Sequence, residues 1–222
     1  MDVKNFPSPA HQESETRLTL KRAARELFAA RGVHNVGIRE ITQAAAQKNQ
    51  GAVAYYFGTK DKLIAEILID GASRIEARRH TYLDQIESAG GPFTAHDAVA
   101  AIVLPSARFS EEDPDYGSFF SSFLIQLSHS HEQFVDDTLK DRWSAGYQRC
   151  LKHLRRLTPD KPLRVQNRRF VFLGMYVSSL LAQREVMMAD KSRAHAMWRS
   201  DEMLSDIIAT TTAILQAPDS KG

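Results

Sequence analysis

Apolar positions recur at spacings of three and four along almost the whole chain, and no stretch alternates with a period of two. That pattern reads as helix after helix. Leu20, Ala24, Leu27 and Phe28 form one stripe, with Ser14 placed to cap its start and Gly32 to stop it, which predicts a helix over 15–31. After a loop over 33–37, Ile38, Ile41, Ala44 and Ala45 mark a short second helix running into the polar turn Gln47-Lys48-Asn49. In the short third helix, Val53 and Phe57 are four apart and face inward, while Gly51 and Tyr55 face outward. Two turns of helix do not hold alone in water, so packing must hold this one. A small helix fixed by its inner face, with polar and aromatic groups outside, suits the floor of a DNA groove.

Further elements follow from punctuation. Thr59 caps a long helix over 60–87, within which Gly71 marks a bend or a close contact, and Gly90-Gly91-Pro92 ends it. Thr94 and Asp97 make a capping box for a fifth helix that Pro105 is expected to cut off. Asp113-Pro114 opens a helix to about residue 128. Another is expected over 132–157, with Phe134, Trp143, Tyr147, Cys150, Leu151 and Leu154 along one side. Two more are expected over 163–189 and from beyond Ser192 to about 215. The fold class is all-α: a three-helix head over 14–62 and a helical body over 63–217, between a flexible tail at 1–13 and a short tail at 218–222.

Composition changes this picture little. At 43% apolar and a net charge of +2 the chain is an ordinary globular one, with no apolar run of membrane-spanning length and no apolar leader. The single cysteine, Cys150, excludes an internal disulfide framework and fits a reducing cytoplasm. The distribution of charge says more. Residues 16–62 hold Arg17, Lys21, Arg22, Arg25, Arg31, Arg39, Lys48, Lys60 and Lys62 against Glu26, Glu40 and Asp61. A basic module on a nearly neutral body is the footprint of a phosphate-contacting surface, or else a solvated helix face.

The head resembles the TetR family of transcriptional regulators. The likeness rests on Phe28-x-x-x-Gly32, then Arg39-Glu40-Ile41, then Ala52-Val53-x-Tyr55-Tyr56-Phe57-Gly58-x-Lys60-x-x-Leu63-Ile64. It implies a helix-turn-helix head, a helical effector-binding and dimerisation body, a homodimer, and a palindromic double-stranded operator released by a small-molecule effector, usually as repression. Cofactors and catalysis are not implied. Carried onto this chain, it implies DNA contacts from Arg39, Lys48, Asn49, Gln50, Gly51, Ala52, Tyr55, Tyr56, Thr59 and Lys60. Gln50 could pair with an adenine edge and Tyr55 pack on a thymine methyl, while Tyr56 and Lys60 match phosphate-holding positions. The chain departs from the family pattern in three places. The turn Ala46-Gln47-Lys48-Asn49 is one residue longer than usual with Ala46 in place of glycine, Val36-Gly37 replaces capping threonines, and Ala54 replaces a DNA-contacting tyrosine.

In the body, the resemblance makes Phe109, Tyr116, Phe119, Phe120, Phe123, Trp143, Tyr147, Met175 and Tyr176 candidates for an effector cavity, and their chemistry suggests an apolar or aromatic ligand. Arg108, Arg142 or His96 could anchor a polar group. The last two helices, through Phe170, Leu173, Val177, Leu180, Leu181, Trp198, Leu204, Ile207, Ile208, Thr211 and Leu215, resemble a four-helix dimer interface, with Gly174 and Ser178 permitting close approach. Two other readings compete. One is an all-α enzyme using His129-Ser130-His131-Glu132 or Cys150, which lacks a catalytic constellation. The other is a helical ligand-binding or adaptor protein whose DNA binding has weakened.

Overall fold

Caps and stops set most of the helix ends in the computed structural model, which describes residues 14–139 and 144–218. The expected tail at 1–13 and all but Pro218 of the one at 218–222, with Arg142 and Trp143, lie outside the described residues. Helix α1 (Glu15–Arg31) begins where Ser14 Oγ accepts the Arg17 amide and ends at Gly32, whose φ of 76° a side chain would strain. A single 3-10 turn (Val33–Asn35) leads to α2 (Ile38–Ala44) and α3 (Ala52–Phe57). Thr59 then caps α4 (Lys60–Ser88), its hydroxyl accepting the Lys62 amide at 3.2 Å.

The body follows as α5 (Ala95–Ala107), α6 (Phe109–Glu112), α7 (Pro114–Gly117), α8 (Phe120–Ser130), α9 (Glu132–Leu139), α10 (Ala145–Leu157), α11 (Leu163–Ala189), α12 (Ala196–Arg199) and α13 (Asp201–Gln216). The fold is all-α, with no strand among the described residues and no helix among them long and apolar enough to cross a membrane.

Four boundaries differ from those the sequence predicts. Helix α5 runs through Pro105 to Ala107, because its alanine- and valine-rich surface is buried almost all round and packing outweighs one lost amide bond. The helix expected to run on from Pro114 breaks at Phe119, which sits at φ 59°, and restarts at Phe120. There the Glu185 carboxylate of α11 accepts the Ser121 and Ser122 amides, both at 2.9 Å, and so satisfies the new helix start. The helix over 132–157 is two helices, α9 and α10. The last is divided at Ser200, whose hydroxyl accepts the Met203 amide and caps α13.

Two apolar cores result. One joins Leu20, Ala24, Phe28, Ile41, Val53 and Phe57 of the head to Leu63, Ile64 and Ile67 of α4, and continues into Phe109, Phe120, Phe123 and Leu127. The other holds α5, α10, α11 and α13 together around Val99, Val103, Leu154, Leu173, Ile207 and Ile208. Helix α4 passes through the first and touches the second at Leu83.

Candidate DNA interface and buried cavity

Helix α3 is held from behind. Val53 and Phe57 are buried against α1, α2 and α4, and the Arg17 guanidinium lies 4.6 Å from the Phe57 ring centre. Of the residues expected to meet DNA, Arg39, Lys48, Asn49, Gln50, Gly51, Tyr55 and Thr59 are exposed. Tyr55 is 80% exposed, with only an edge contact to Tyr56 at 4.9 Å between ring centres. Nothing in the fold requires an aromatic ring there.

The longer turn has a structural cost. Ala46 adopts φ 52°, the left-handed region that explains why glycine is usual at this position. Asn49 closes the turn, its side-chain oxygen accepting the Gly51 amide at 2.9 Å and its carbonyl the Ala52 amide at 3.0 Å. Those two amides are thus used within the chain and are not free for phosphate. Missing threonine caps are replaced as well. Glu40 reaches back to accept the Gly37 amide at 2.7 Å, and this bond, aided by Arg31, holds its carboxyl below the usual range.

Three expected DNA residues sit differently. Ala52 is 4% exposed, its methyl packed in the head core, because it shares the inner face with Val53. Tyr56 is half-buried against that core, and its carbonyl accepts from Arg17 at 2.6 Å. Lys60 extends along the Phe28 ring and donates its ammonium to the Val33 carbonyl at 2.6 Å, where burial lowers its pKa. It braces α4 against the loop after α1.

The basic module proves largely internal. Arg17 pairs with Glu66, Lys21 with Asp70 at 2.6 Å, Arg22 with Asp115 at 3.3 Å and Arg31 with Glu40 at 2.8 Å. Arg25 is buried on the carbonyls of Ser118 and Asp115, with burial pulling its pKa down to about 10. Among the described residues of the head, this leaves Arg39, Lys48 and Lys62 as exposed cations outside any ion pair.

Behind the head lies a cavity of about 320 Å³ between α4, α5, α8, α10 and α11. Leu68, Ala72, Ile75, Ile102, Phe120, Leu124, Leu173 and Val177 are among its apolar wall residues. Of the aromatic residues expected there, Phe120 and Tyr147 line it. Phe109 and Phe123 do not, being 1% and 0% exposed within the core that joins head to body, where Phe123 stacks on Phe28 at 6.0 Å. Tyr116 lies beneath the Arg74 guanidinium at 3.5 Å, and Phe119 faces a shallow recess beside Glu185 and Met188. Met175 is 63% exposed on the outer face of α11, and Tyr176 bonds Thr210 of α13 at 2.9 Å.

The charged wall residues are ones that sequence reasoning missed. Glu76 and Arg79 line the cavity and pair with each other, while the expected anchor Arg108 lines a separate surface recess. Their signal was position: Ala72, Glu76, Arg79 and Leu83 share one inward face of α4.

The expected dimer stripe also falls differently. Phe170, Leu173, Val177, Leu181, Leu204, Ile207, Ile208 and Leu215 are buried within the single chain. Gly174 borders the cavity, 3.8 Å from its Cβ position to the Tyr147 hydroxyl. The uncovered apolar surface of α11 is instead Leu163, Val171, Phe172, Met175 and Val186. Cys150 is fully buried and its thiol is pushed up to about 12, so it stays an unreactive core residue at neutral pH.

Residues 20–67 match the profile of the bacterial regulatory proteins of the tetR family. Among curated proteins, nothing matches significantly. The whole fold is similar to that of a tetR-family regulatory protein from Rhodococcus RHA1, at 18% identity and a TM-score of 0.53 over 93% of this chain and 100% of that one. It is also similar to AmtR of Mycobacterium smegmatis, at 15% identity and a TM-score of 0.52 over 96% and 92%. The head, with its helix-turn-helix and exposed α3, thus matches the tetR family of bacterial regulatory proteins over residues 20–67, and the chain as a whole shares its all-α fold with these two solved structures.

Proposed function

We propose that the protein is a ligand-responsive transcriptional repressor. It binds a palindromic operator as a homodimer and releases it when a small apolar or aromatic effector enters the cavity. On this reading residues 14–62 bind DNA, residues 63–217 bind effector and dimerise, and the protein works in the cytoplasm, where its operator is.

The observation that carries the reading is the course of α4. Its first two turns, through Leu63, Ile64 and Ile67, are packed in the head core, and the next three, through Leu68, Ala72, Ile75 and Arg79, line the cavity. One continuous helix therefore joins the surface that supports α3 to the wall an effector would press. Two recognition helices enter successive major grooves only when about 34 Å apart. An effector that favours another tilt of α4 shifts that spacing and with it operator affinity.

The outer faces of α11 and α13 supply the dimer contact on this reading. Phe172, Met175 and Ser179 lie along α11 beside the small exposed residues Ala209, Thr210 and Ala213 of α13. A self-complementary two-fold contact of about 800 Å² per partner needs such a face.

Selection of bound fragments from a random DNA pool tests the function. An inverted repeat with half-sites about one turn apart is expected. Recovery of sequences without a shared motif would refute it.

A further inference from the structure

The polar part of the cavity wall is incomplete in a specific way. Glu76 and Arg79 are 5% and 6% exposed, side by side on α4. Glu76 spends both oxygens, one on Arg79 Nη1 and the other on the Gly146 amide at 2.6 Å. The opposite edge of the guanidinium, Nε and Nη2, is the edge that grips oxygen acceptors with two parallel bonds. Here Nη2 holds only the Ser106 hydroxyl at 3.2 Å, and the buried Nε–H has no acceptor. Buried donors are rarely left so, because the lost hydration is not repaid. A second donor stands close by. The Tyr147 ring lies 5.8 Å from the Arg79 guanidinium and lines the same cavity, and its hydroxyl has no hydrogen-bond partner among the described residues.

We propose that the effector carries one neutral carbonyl oxygen on its apolar or aromatic frame, and that this oxygen is received by the Nε–Nη2 edge of Arg79 and the hydroxyl of Tyr147. The proposal rests on the cavity being the effector site. Two arguments select the chemistry. The positive charge of Arg79 is already matched by Glu76, so a carboxylate would bring an unmatched charge against a wall of leucine, isoleucine and valine. A carbonyl accepts without donating, and donors are what the wall has to spare. Nε is covered, so the acceptor reaches this edge as the guanidinium swings off Ser106, whose hydrogen bond is the longer of the two that Arg79 makes. Size sets the frame. A benzene-sized molecule fills a cavity of about 150 Å³, so 320 Å³ takes two fused rings and a short substituent.

The test is titration calorimetry of the full chain with 2-ethylnaphthalene, 2-acetonaphthone and 2-naphthoate. We expect the ketone to bind about tenfold more tightly than the hydrocarbon, the increment of one net hydrogen bond, and naphthoate most weakly. Tyr147→Phe and, separately, Arg79→Lys should each lower the ketone-to-hydrocarbon ratio severalfold. Arg79→Lys keeps a cation beside Glu76, and Tyr147→Phe leaves that pair untouched, so a folding failure in one leaves the other informative. Leu173→Trp, which fills the cavity, should remove binding of all three. Equal affinity for ketone and hydrocarbon, or naphthoate the tightest, overturns the carbonyl proposal. If Leu173→Trp still removes binding in that case, the cavity reading stands. No binding by any of the three, or binding indifferent to Leu173→Trp, overturns the cavity reading and this inference with it.

Discussion

Phe120, the first residue of α8, lays its ring against Gly71 of α4, and Gly71→Ala turns that contact into a measurable quantity. An ideal Cβ at Gly71 lies closer than 3.0 Å to three atoms of the Phe120 ring. Carbon atoms rest at about 3.5–4.0 Å, so the ring must retreat by about 1 Å or more. Phe120 is 1% exposed and set edge-on against Phe109 at 5.6 Å, with Phe123 at 6.1 Å on another side. Its one open direction is the cavity, which it lines. Two effects then compete. Alanine in a helix interior is favoured over glycine by about 1 kcal/mol. Overpacking a closed core costs about 1–3 kcal/mol. All three ring atoms fall well inside contact distance, so the overpacking cost lies at the upper end, about 2–3 kcal/mol, and the net expectation is a loss of about 1–2 kcal/mol, or roughly 5 °C in melting temperature for a chain of this size. Urea unfolding followed by circular dichroism at fixed protein concentration reads it, and Gly71→Ala with Phe120→Leu should recover most of the loss. Because the displaced ring enters the cavity, the single variant should also bind 2-ethylnaphthalene more weakly. A Gly71→Ala protein as stable as the parent, or more stable by the helix-propensity term, would refute the close contact between Phe120 and Gly71.

Three other substitutions probe the turn, the outer face of α11 and the histidine pair. Ala46→Gly removes a side chain from φ 52° and should stabilise the protein by about 0.5–1 kcal/mol, after allowing for the freer unfolded chain; a loss of stability would contradict the turn geometry. Phe172→Asp places a charge on the uncovered face of α11 and should yield a monomer in sedimentation at micromolar concentration without lowering helix content, whereas an unchanged dimer would move the interface elsewhere. His131 stacks on His34 at 4.2 Å, facing Lys60, Asp61 and the Ser130 hydroxyl, and burial and then His34 hold its pKa below the ordinary 6.5. The unfolded chain therefore binds the proton more readily, so this contribution to stability is full above pH 6.5 and falls as the pH drops from there towards the folded pKa. His131→Gln should flatten that part of the melting-temperature profile, and a profile unchanged by the substitution would contradict the assignment.

How much of this was legible in the sequence depended on the range of the interaction. Ser14, Gly32, Thr59, Thr94 and Asp97 act within a few residues of themselves, and the helix ends they mark fall where the sequence places them. Ser200 followed by Asp201 and Glu202 is an equally local signal that the sequence reading passed over. The break at Phe119 has no local signal, since the carboxylate that satisfies it comes from Glu185. Charge misled for the same reason. Lys21 and Arg22 read as a phosphate surface, but their partners Asp70 and Asp115 lie 49 and 93 residues on. Helix α11 is apolar on both its inner and outer faces, so period alone cannot say which face the chain itself covers. Whether an aromatic residue lines a cavity or fills a core is likewise settled by the neighbours that reach it, as Phe120 and Phe123 show.

The central claim is that α3 and the few unpaired cations around it, rather than the whole basic head, meet DNA, and fluorescence anisotropy measures it most directly. The titration uses DNA from upstream of the protein's own gene, excess random competitor and a series of salt concentrations, with Tyr55→Ala alongside. Three exposed cations per head outside any ion pair among the described residues, six per dimer, give a slope of log affinity on log salt of about −5, against about −16 if every basic residue of both heads met phosphate. The account predicts specific binding with the shallow slope, lost in Tyr55→Ala. Binding that is equal for both proteins and for random DNA would contradict it.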